Sequence, residues 1–175
     1  IGFTISGAKS VAWANDSKTL FYSTIDETFR SYRIYRQTLD SDKAELVFEE
    51  KDARFTTYVG DSKTKEFIFI TSSSSTTSEV QLVSADEPNG KLKTFMPRVK
   101  DTEYSVYPHK EKFFVRYKDK ENLNGKIYEV PLTGYKDKNN WKEFQPHDKD
   151  VLIDRIDILK DDVLLELRKK GLSEI

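Results

Sequence analysis

Two histidines, the serine of a Gly-Asp-Ser turn and a surplus of carboxylates are the groups through which this chain could do chemistry. A serine nucleophile on an α/β scaffold needs the G-x-S-x-G turn, which lifts the hydroxyl out between a strand and a helix. Gly60-Asp61-Ser62 supplies the first three positions, but Thr64 stands where the second glycine belongs and strands flank both sides. Ser62 therefore reads as a turn serine. His109 and His147 each follow a proline, lie 38 positions apart and have no third ligand at metal-binding spacing, so both read as exposed loop histidines. Glu49 and Glu50 are adjacent and so point to opposite faces of an extended chain, which makes no glycosidase pair without a second strand. Asp40-Ser41-Asp42 begins like a calcium loop, yet Glu45 occupies the sixth position, where glycine makes the bend. Asn15-Asp16-Ser17 fits the N-glycosylation pattern, a short match that is common by chance. Trp13 and Trp141 read as packing residues. With no cysteine and no glycine-rich phosphate loop, the sequence offers no catalytic residue, no cofactor site and no metal site.

One cluster remains. Asp26, Glu27, Arg30 and Arg33 crowd a short stretch between two strand-like segments. Such a rim can contact a second domain, a substrate or only water, and Asp26, Arg30 and Arg33 are the candidates for a rim or interdomain contact.

The elements that position this cluster are strands. Phenylalanine (11) and tyrosine (9) dominate the aromatic supply, and long helical repeats are missing; only Ser173-Glu174-Ile175 and a few charged runs could begin a helical turn. "EFIFIT" is a continuous apolar run, as in a strand buried on both faces. "RIYRQTL" alternates without a purely apolar face and is expected outside the inner core. The run "TSSSSTTS" from Thr71 to Ser78 reads as a flexible rim loop, and Asn124-Gly125 as a two-residue hairpin turn.

These segments recur. "YRIYRQTL", "SEVQLVSA" and "GKIYEVPL" begin at Tyr32, Ser78 and Gly125, spaced by 46 and 47 residues. Phe21-Tyr22, Phe67-Ile68 and Phe113-Phe114 recur every 46, and "LVFEEKD", "FMPRVKD" and "FQPHDKD" close each unit. With the opening strands "SVAWAND", "FTTYVGD" and "EYSVYPH", each unit has four strands. A period in the forties with four strands is the signature of a β-propeller blade. The expected fold is all-β, about three and a half four-stranded blades spanning roughly 11–52, 53–101, 102–150 and the start of another over 151–175. The hydrophobic second strands should be the best buried.

Charge narrows the partners. Lys+Arg number 29 and Asp+Glu 30, a net charge of -1, so there is no electrostatic basis for nucleic acid or for an anionic membrane surface. The absence of cysteine fits a cytoplasmic chain. With no initiator Met and only Met96, the chain is expected to be a piece of a longer protein.

The stretch "VAWANDSKTLFYSTIDETFRSYRIYRQTLDSDKAELVFEEKDARF", from Val11 to Phe55, resembles the oligopeptidase B branch of the prolyl oligopeptidase family. The likeness continues through "FIFITSSSSTTSEVQLVSAD", "MPRVKDTEYSVYPHKEKFFVRY", "WKEFQPHDKDVLID" and "LELRKKGL", in order and over nearly the whole chain. The resemblance implies a two-domain serine peptidase. Its propeller caps an α/β-hydrolase domain, excludes large folded substrates and hinges on that domain, while the hydrolase domain cleaves short peptides after lysine or arginine. No catalytic position of that domain has a counterpart here, so the implied partner is a catalytic domain in the same parent chain. Two departures are local: Arg30-Ser31 stands where relatives often have Arg-Pro, and Arg36-Gln37 where a histidine is common. The alternative is a self-contained propeller-like interaction module that oligomerises to cover its open ends.

Overall fold

The computed structural model describes residues 4–174, nearly all of them in strands and tight turns. The first sheet comprises β1 (Ala8–Trp13), β2 (Thr19–Ile25), β3 (Ser31–Thr38) and β4 (Glu45–Glu49), each antiparallel to the next. β5 (Thr56–Asp61), β6 (Phe67–Ser73), β7 (Ser78–Ser84) and the two-residue β8 (Lys93–Thr94) form the second. The third contains β9 (Glu103–His109), β10 (Lys112–Lys118), β11 (Lys126–Pro131) and β12 (Lys142–Gln145). The fourth has three strands, β13 (Val151–Ile158), β14 (Val163–Lys169) and β15 (Leu172–Glu174). Among the described residues the only helical element is a 3-10 turn at Lys138–Asn140, capped by Asp137. Ser173 and Glu174, expected to begin a helical turn, instead pair with Arg168 and Leu167. Ile175 lies outside the described residues.

The chain divides into two compact units, one ending at Pro97 and the other starting at Arg98. Each holds two sheets, because a lone four-stranded sheet buries too little apolar surface to stand alone. In the first unit Ala12, Phe21 and Ile34 meet Val59, Ile68, Ile70 and Val83 in one cluster, with Val47, Phe48 and Leu92 at its edge. In the second, Phe114 and Ile127 meet Ile153, Ile156 and Ile158. The second strand is the best buried only in the first sheet, where Thr19 to Ser23 of β2 are closed to solvent; in the others β7, β9 and β13 hold more buried residues than β6, β10 and β14. The repeat reaches the backbone: the turn between first and second strands holds a left-handed residue in all three complete sheets, Ser17, Lys65 and Lys110 at φ 56°, 60° and 55°.

Several local expectations are corrected. Ile34 of β3 is fully buried, because the polar Arg36 on the same face sits at the sheet's end and donates to the Pro88 carbonyl and to Glu45. Thr71 to Ser73 and Ser78 of the polar run are strand residues, and only 74–77 form the loop. Their hydroxyls replace apolar packing with cross-strand bonds: Thr57 Oγ1 and Ser72 Oγ share a hydrogen bond of 2.9 Å in the interior, where both are buried. Asn124-Gly125 closes a longer loop over 119–125, in which Gly125 takes φ 82° and donates to Asn122. Trp13, expected to pack, is 46% exposed.

Candidate functional site

The turn joining β2 to β3 is built on one carboxylate. Asp26 Oδ1 accepts from the Thr28 amide (2.9 Å), the Thr28 hydroxyl (2.7 Å) and the Arg30 amide (3.0 Å), and Oδ2 accepts from Arg30 Nε at 3.0 Å. This is an Asx turn with a charge-assisted closing bond. The Thr28 hydroxyl most of all, with the two amides and the Arg30 side chain, lowers the Asp26 carboxyl to about 2, against an opposing effect of desolvation second in size only to the hydroxyl. The turn leaves Phe29 left-handed at φ 61° and 73% exposed.

Arg30 then reaches away from its own sheet. Its Nη1 faces three carbonyl oxygens of the segment leading into β5, at 3.4 Å from Glu50, 3.4 Å from Asp52 and 3.1 Å from Phe55. A guanidinium suits this task because its planar fork serves several acceptors at once. Arg33 lies opposite Glu49 in the β3–β4 register, and its Nε donates to Oε1 at 2.8 Å. The Tyr32 ring lies between the two cations, 4.9 Å from Arg30 and 4.8 Å from Arg33. The structure therefore brings Asp26, Arg30 and Arg33 together and gives each an acceptor or donor within the first unit. The exposed residues of this rim are Glu27, Thr28 and Phe29.

The groups weighed for chemistry have other employment. Ser62 Oγ accepts from the amides of Glu66 and Phe67, both at 3.1 Å, which fixes the β5–β6 turn. Glu50 is buried and accepts from the Asp52 amide. His109 is not an exposed loop residue: it ends β9, is 6% exposed, and lies against Phe114 with Nε2 3.4 Å from the Lys160 carbonyl oxygen. His147 is half-buried in the second unit.

Two constellations escaped the sequence. Asn15 Nδ2 donates to the Lys65 carbonyl at 2.8 Å and to Asp86 Oδ1 at 2.7 Å, and its amide donates to Ala85, so one asparagine ties two sheets. The asparagine of a glycosylation pattern thus has its carboxamide already engaged. In the second unit Tyr117, Tyr128 and Trp141 form a chain of edge-to-face rings, 5.9 Å and 5.4 Å between centroids. An aromatic spacing of two residues from a lysine was visible in "GKIYEV", but the convergence of rings from β10, β11 and the loop before β12 was not.

Comparison with known proteins places this architecture. Residues 4–175 match the profile of the prolyl oligopeptidase N-terminal beta-propeller domain. Protease 2 of Moraxella lacunata is 32% identical over 168 residues, covering 95% of this chain and 24% of that protein. Dipeptidyl aminopeptidase BI of Pseudoxanthomonas mexicana is 30% identical over 159 residues, 89% of this chain and 22% of its own. Oligopeptidase B from Trypanosoma brucei, solved in a closed form with covalently bound antipain, aligns with a TM-score of 0.87 at 26% identity, over 97% of this chain and 24% of that one. Oligopeptidase B from Leishmania major shares the fold with the same TM-score, 0.87, at 24% identity, over 98% of this chain and 25% of that one. The chain thus spans about a quarter of the length of these relatives. With its repeated four-stranded sheets and a profile match over nearly every residue, the chain belongs to the prolyl oligopeptidase family, as part of its N-terminal β-propeller domain.

Proposed function

We propose that this chain is the non-catalytic propeller portion of an oligopeptidase B-like serine endopeptidase that cleaves short peptides after lysine or arginine. In this reading the catalytic serine, aspartate and histidine belong to an α/β-hydrolase domain elsewhere in the parent chain. The propeller admits short peptides, excludes folded ones and hinges against that domain. A cytoplasmic location is part of the proposal, and fractionation of the source cells checks it.

The observation that carries the reading is the match of residues 4–175 to a peptidase propeller. A surface feature supports it. On the face of the first sheet opposite its core, Val11, Tyr22, Tyr35 and Leu46 stand in one cross-strand row, with Trp13 beside them. Val11, Trp13 and Leu46 are 54%, 46% and 43% exposed, a face suited to a further sheet of the parent. Within the proposal Asp26, Arg30 and Arg33 form the rim that meets the catalytic domain. Asp26 and Arg30 act by shaping it, and Arg33, with 38% of its side chain exposed, is the one able to reach across.

The test assays this chain and its full-length parent side by side on an arginyl reporter peptide, an alanyl control and a peptide-length series. The expected result is turnover by the parent alone, selective for the arginyl reporter and falling as the peptide lengthens. Hydrolysis by the purified chain that survives removal of contaminating proteases sinks the non-catalytic assignment. Indifference to length sinks the filter. A parent no longer than this chain that self-associates favours an interaction module instead.

A further inference from the structure

The three-ring cluster of the second unit already holds a cation. Lys138 Nζ lies 5.5 Å from the Tyr117 centroid and 5.6 Å from that of Trp141, within the range in which a cation is attracted to an aromatic face. Lys126 Nζ lies 5.1 Å from the Tyr128 centroid and is held there by Glu143 at 3.9 Å. The two lysines differ in kind. Lys126 is fixed in a strand, has 17% of its side chain exposed and has a carboxylate partner. Lys138 sits on an exposed 3-10 turn, and no ion pair is recorded for it among the described residues. The walls are rigid where the occupant is not. Tyr117 and Tyr128 stand on paired strands, and the Trp141 indole N–H donates to the Tyr135 carbonyl at 2.7 Å, which locks the ring plane. Asn140 Nδ2 donates to Gly134 at 3.0 Å and closes the same loop.

We propose that Tyr117, Tyr128 and Trp141 form a receiving site for a weakly hydrated organic cation, and that Lys138 is a built-in occupant which an incoming guanidinium or alkylammonium group displaces. A primary ammonium is strongly hydrated and loses more on leaving water than a guanidinium or a tetraalkylammonium does. Cation for cation, hydration favours the incoming group, while Lys138 keeps the advantage of its tether, so displacement is driven by ligand concentration. The Tyr128 side chain is already hydrogen-bonded to Lys126 and that of Tyr117 to Thr102 and Asp119, so the ring faces select by charge, size and hydration.

The test labels the intact protein with 5-fluorotryptophan and assigns the Trp141 fluorine signal with Trp141→Phe. N-acetyl-arginine amide and tetramethylammonium chloride are then titrated at constant ionic strength. The expected result is a saturable shift of the Trp141 signal, with the dissociation constant lowered about tenfold by Lys138→Gln and raised above the starting value by Lys138→Arg, whose tethered guanidinium is the less hydrated occupant. A stronger response to the arginine amide identifies a peptide side chain as the source of the cation; a stronger response to tetramethylammonium identifies a small quaternary amine. No saturable shift in Lys138→Gln, in protein that melts like the original, overturns the site. Equal affinity with and without Lys138 overturns its role as occupant.

Discussion

Arg30 Nη1 lies 3.1 Å from the carbonyl oxygen of Phe55, so a side chain from the first sheet's rim fixes the entry to the second sheet. The side chain is 17% exposed and also closes on Asp26. Removing it takes a donor from Asp26 Oδ2 and from up to three carbonyl oxygens at once, though Asp26 keeps its Thr28 bonds and the Asp52 carbonyl keeps the Phe55 amide. Arg30→Ala is expected to cost about 2–3 kcal/mol, read as a shift in the denaturation midpoint. Arg30→Lys should recover less than half, because one ammonium cannot serve both the carboxylate and the carbonyl group of acceptors. Full recovery by lysine would show that charge alone matters there.

Asp26 makes this rim sensitive to acid in a defined window. Its carboxyl is lowered from the ordinary 3.8 to about 2, first by the Thr28 hydroxyl. A depressed folded value means the native state holds the ionised form more tightly than the unfolded chain does. The contribution is therefore complete above about pH 4 and is lost as pH falls through 2. A titration of the Asp26 carboxyl carbon by NMR should give a midpoint near 2, and Thr28→Val should raise it. A midpoint near 4 in the unaltered protein would remove the hydroxyl from this account.

Asn15 gives a second bond between sheets, formed by one carboxamide. Asn15→Ala should destabilise by about 1–2 kcal/mol, since the Lys65 carbonyl and Asp86 both lose a donor. Asn15→Asp should cost more, because it sets a carboxylate against Asp86 as well as losing both N–H groups. Comparing the two melting temperatures checks the order. If Asn15→Asp proves the milder change, the contact to Asp86 does not exist in solution.

Sheet architecture was legible because it is written in apolar side chains at fixed spacing. Phe21, Phe67 and Phe113 recur every 46 residues and all fall in second strands, β2, β6 and β10, though as the third, first and second residue of the strand, so the sequence period marks the strand and not its register. The all-β propeller reading followed from that period, and the structure and family match agree with it. What stayed hidden is written in the backbone or in three dimensions. The acceptors of Arg30 are carbonyl oxygens, which every residue owns, so nothing in "FEEKDARF" marks them. Ser72 and Ser78 read as loop because their composition is polar, yet hydroxyl pairs let serine and threonine occupy a buried strand. His109 looked like a turn residue beside Pro108, but Pro108 pairs with Phe113 inside the ladder and carries His109 into the sheet. The charged rim cluster was found as a cluster, while the use of its arginines as internal struts was not readable from spacing.

The outward face of the first sheet separates the two ways this chain could live. Phe21 is fully buried inside the first unit, so Phe21→Ala should cost about 3–5 kcal/mol whether or not further sheets are present. Trp13 is different: it is 46% exposed and stands beside the row of Val11, Tyr22, Tyr35 and Leu46. If a neighbouring sheet of a longer parent covers that row, Trp13→Ser removes buried contact there and should cost about 2–4 kcal/mol in the parent. In this chain by itself the same change should fall within about 0.5 kcal/mol and improve solubility, because it breaks an exposed apolar patch. Denaturation of both variants in both lengths of chain gives the answer. A Trp13→Ser change that is neutral in the parent would mean that no sheet covers the row, and the surface feature cited for the propeller reading would carry no weight.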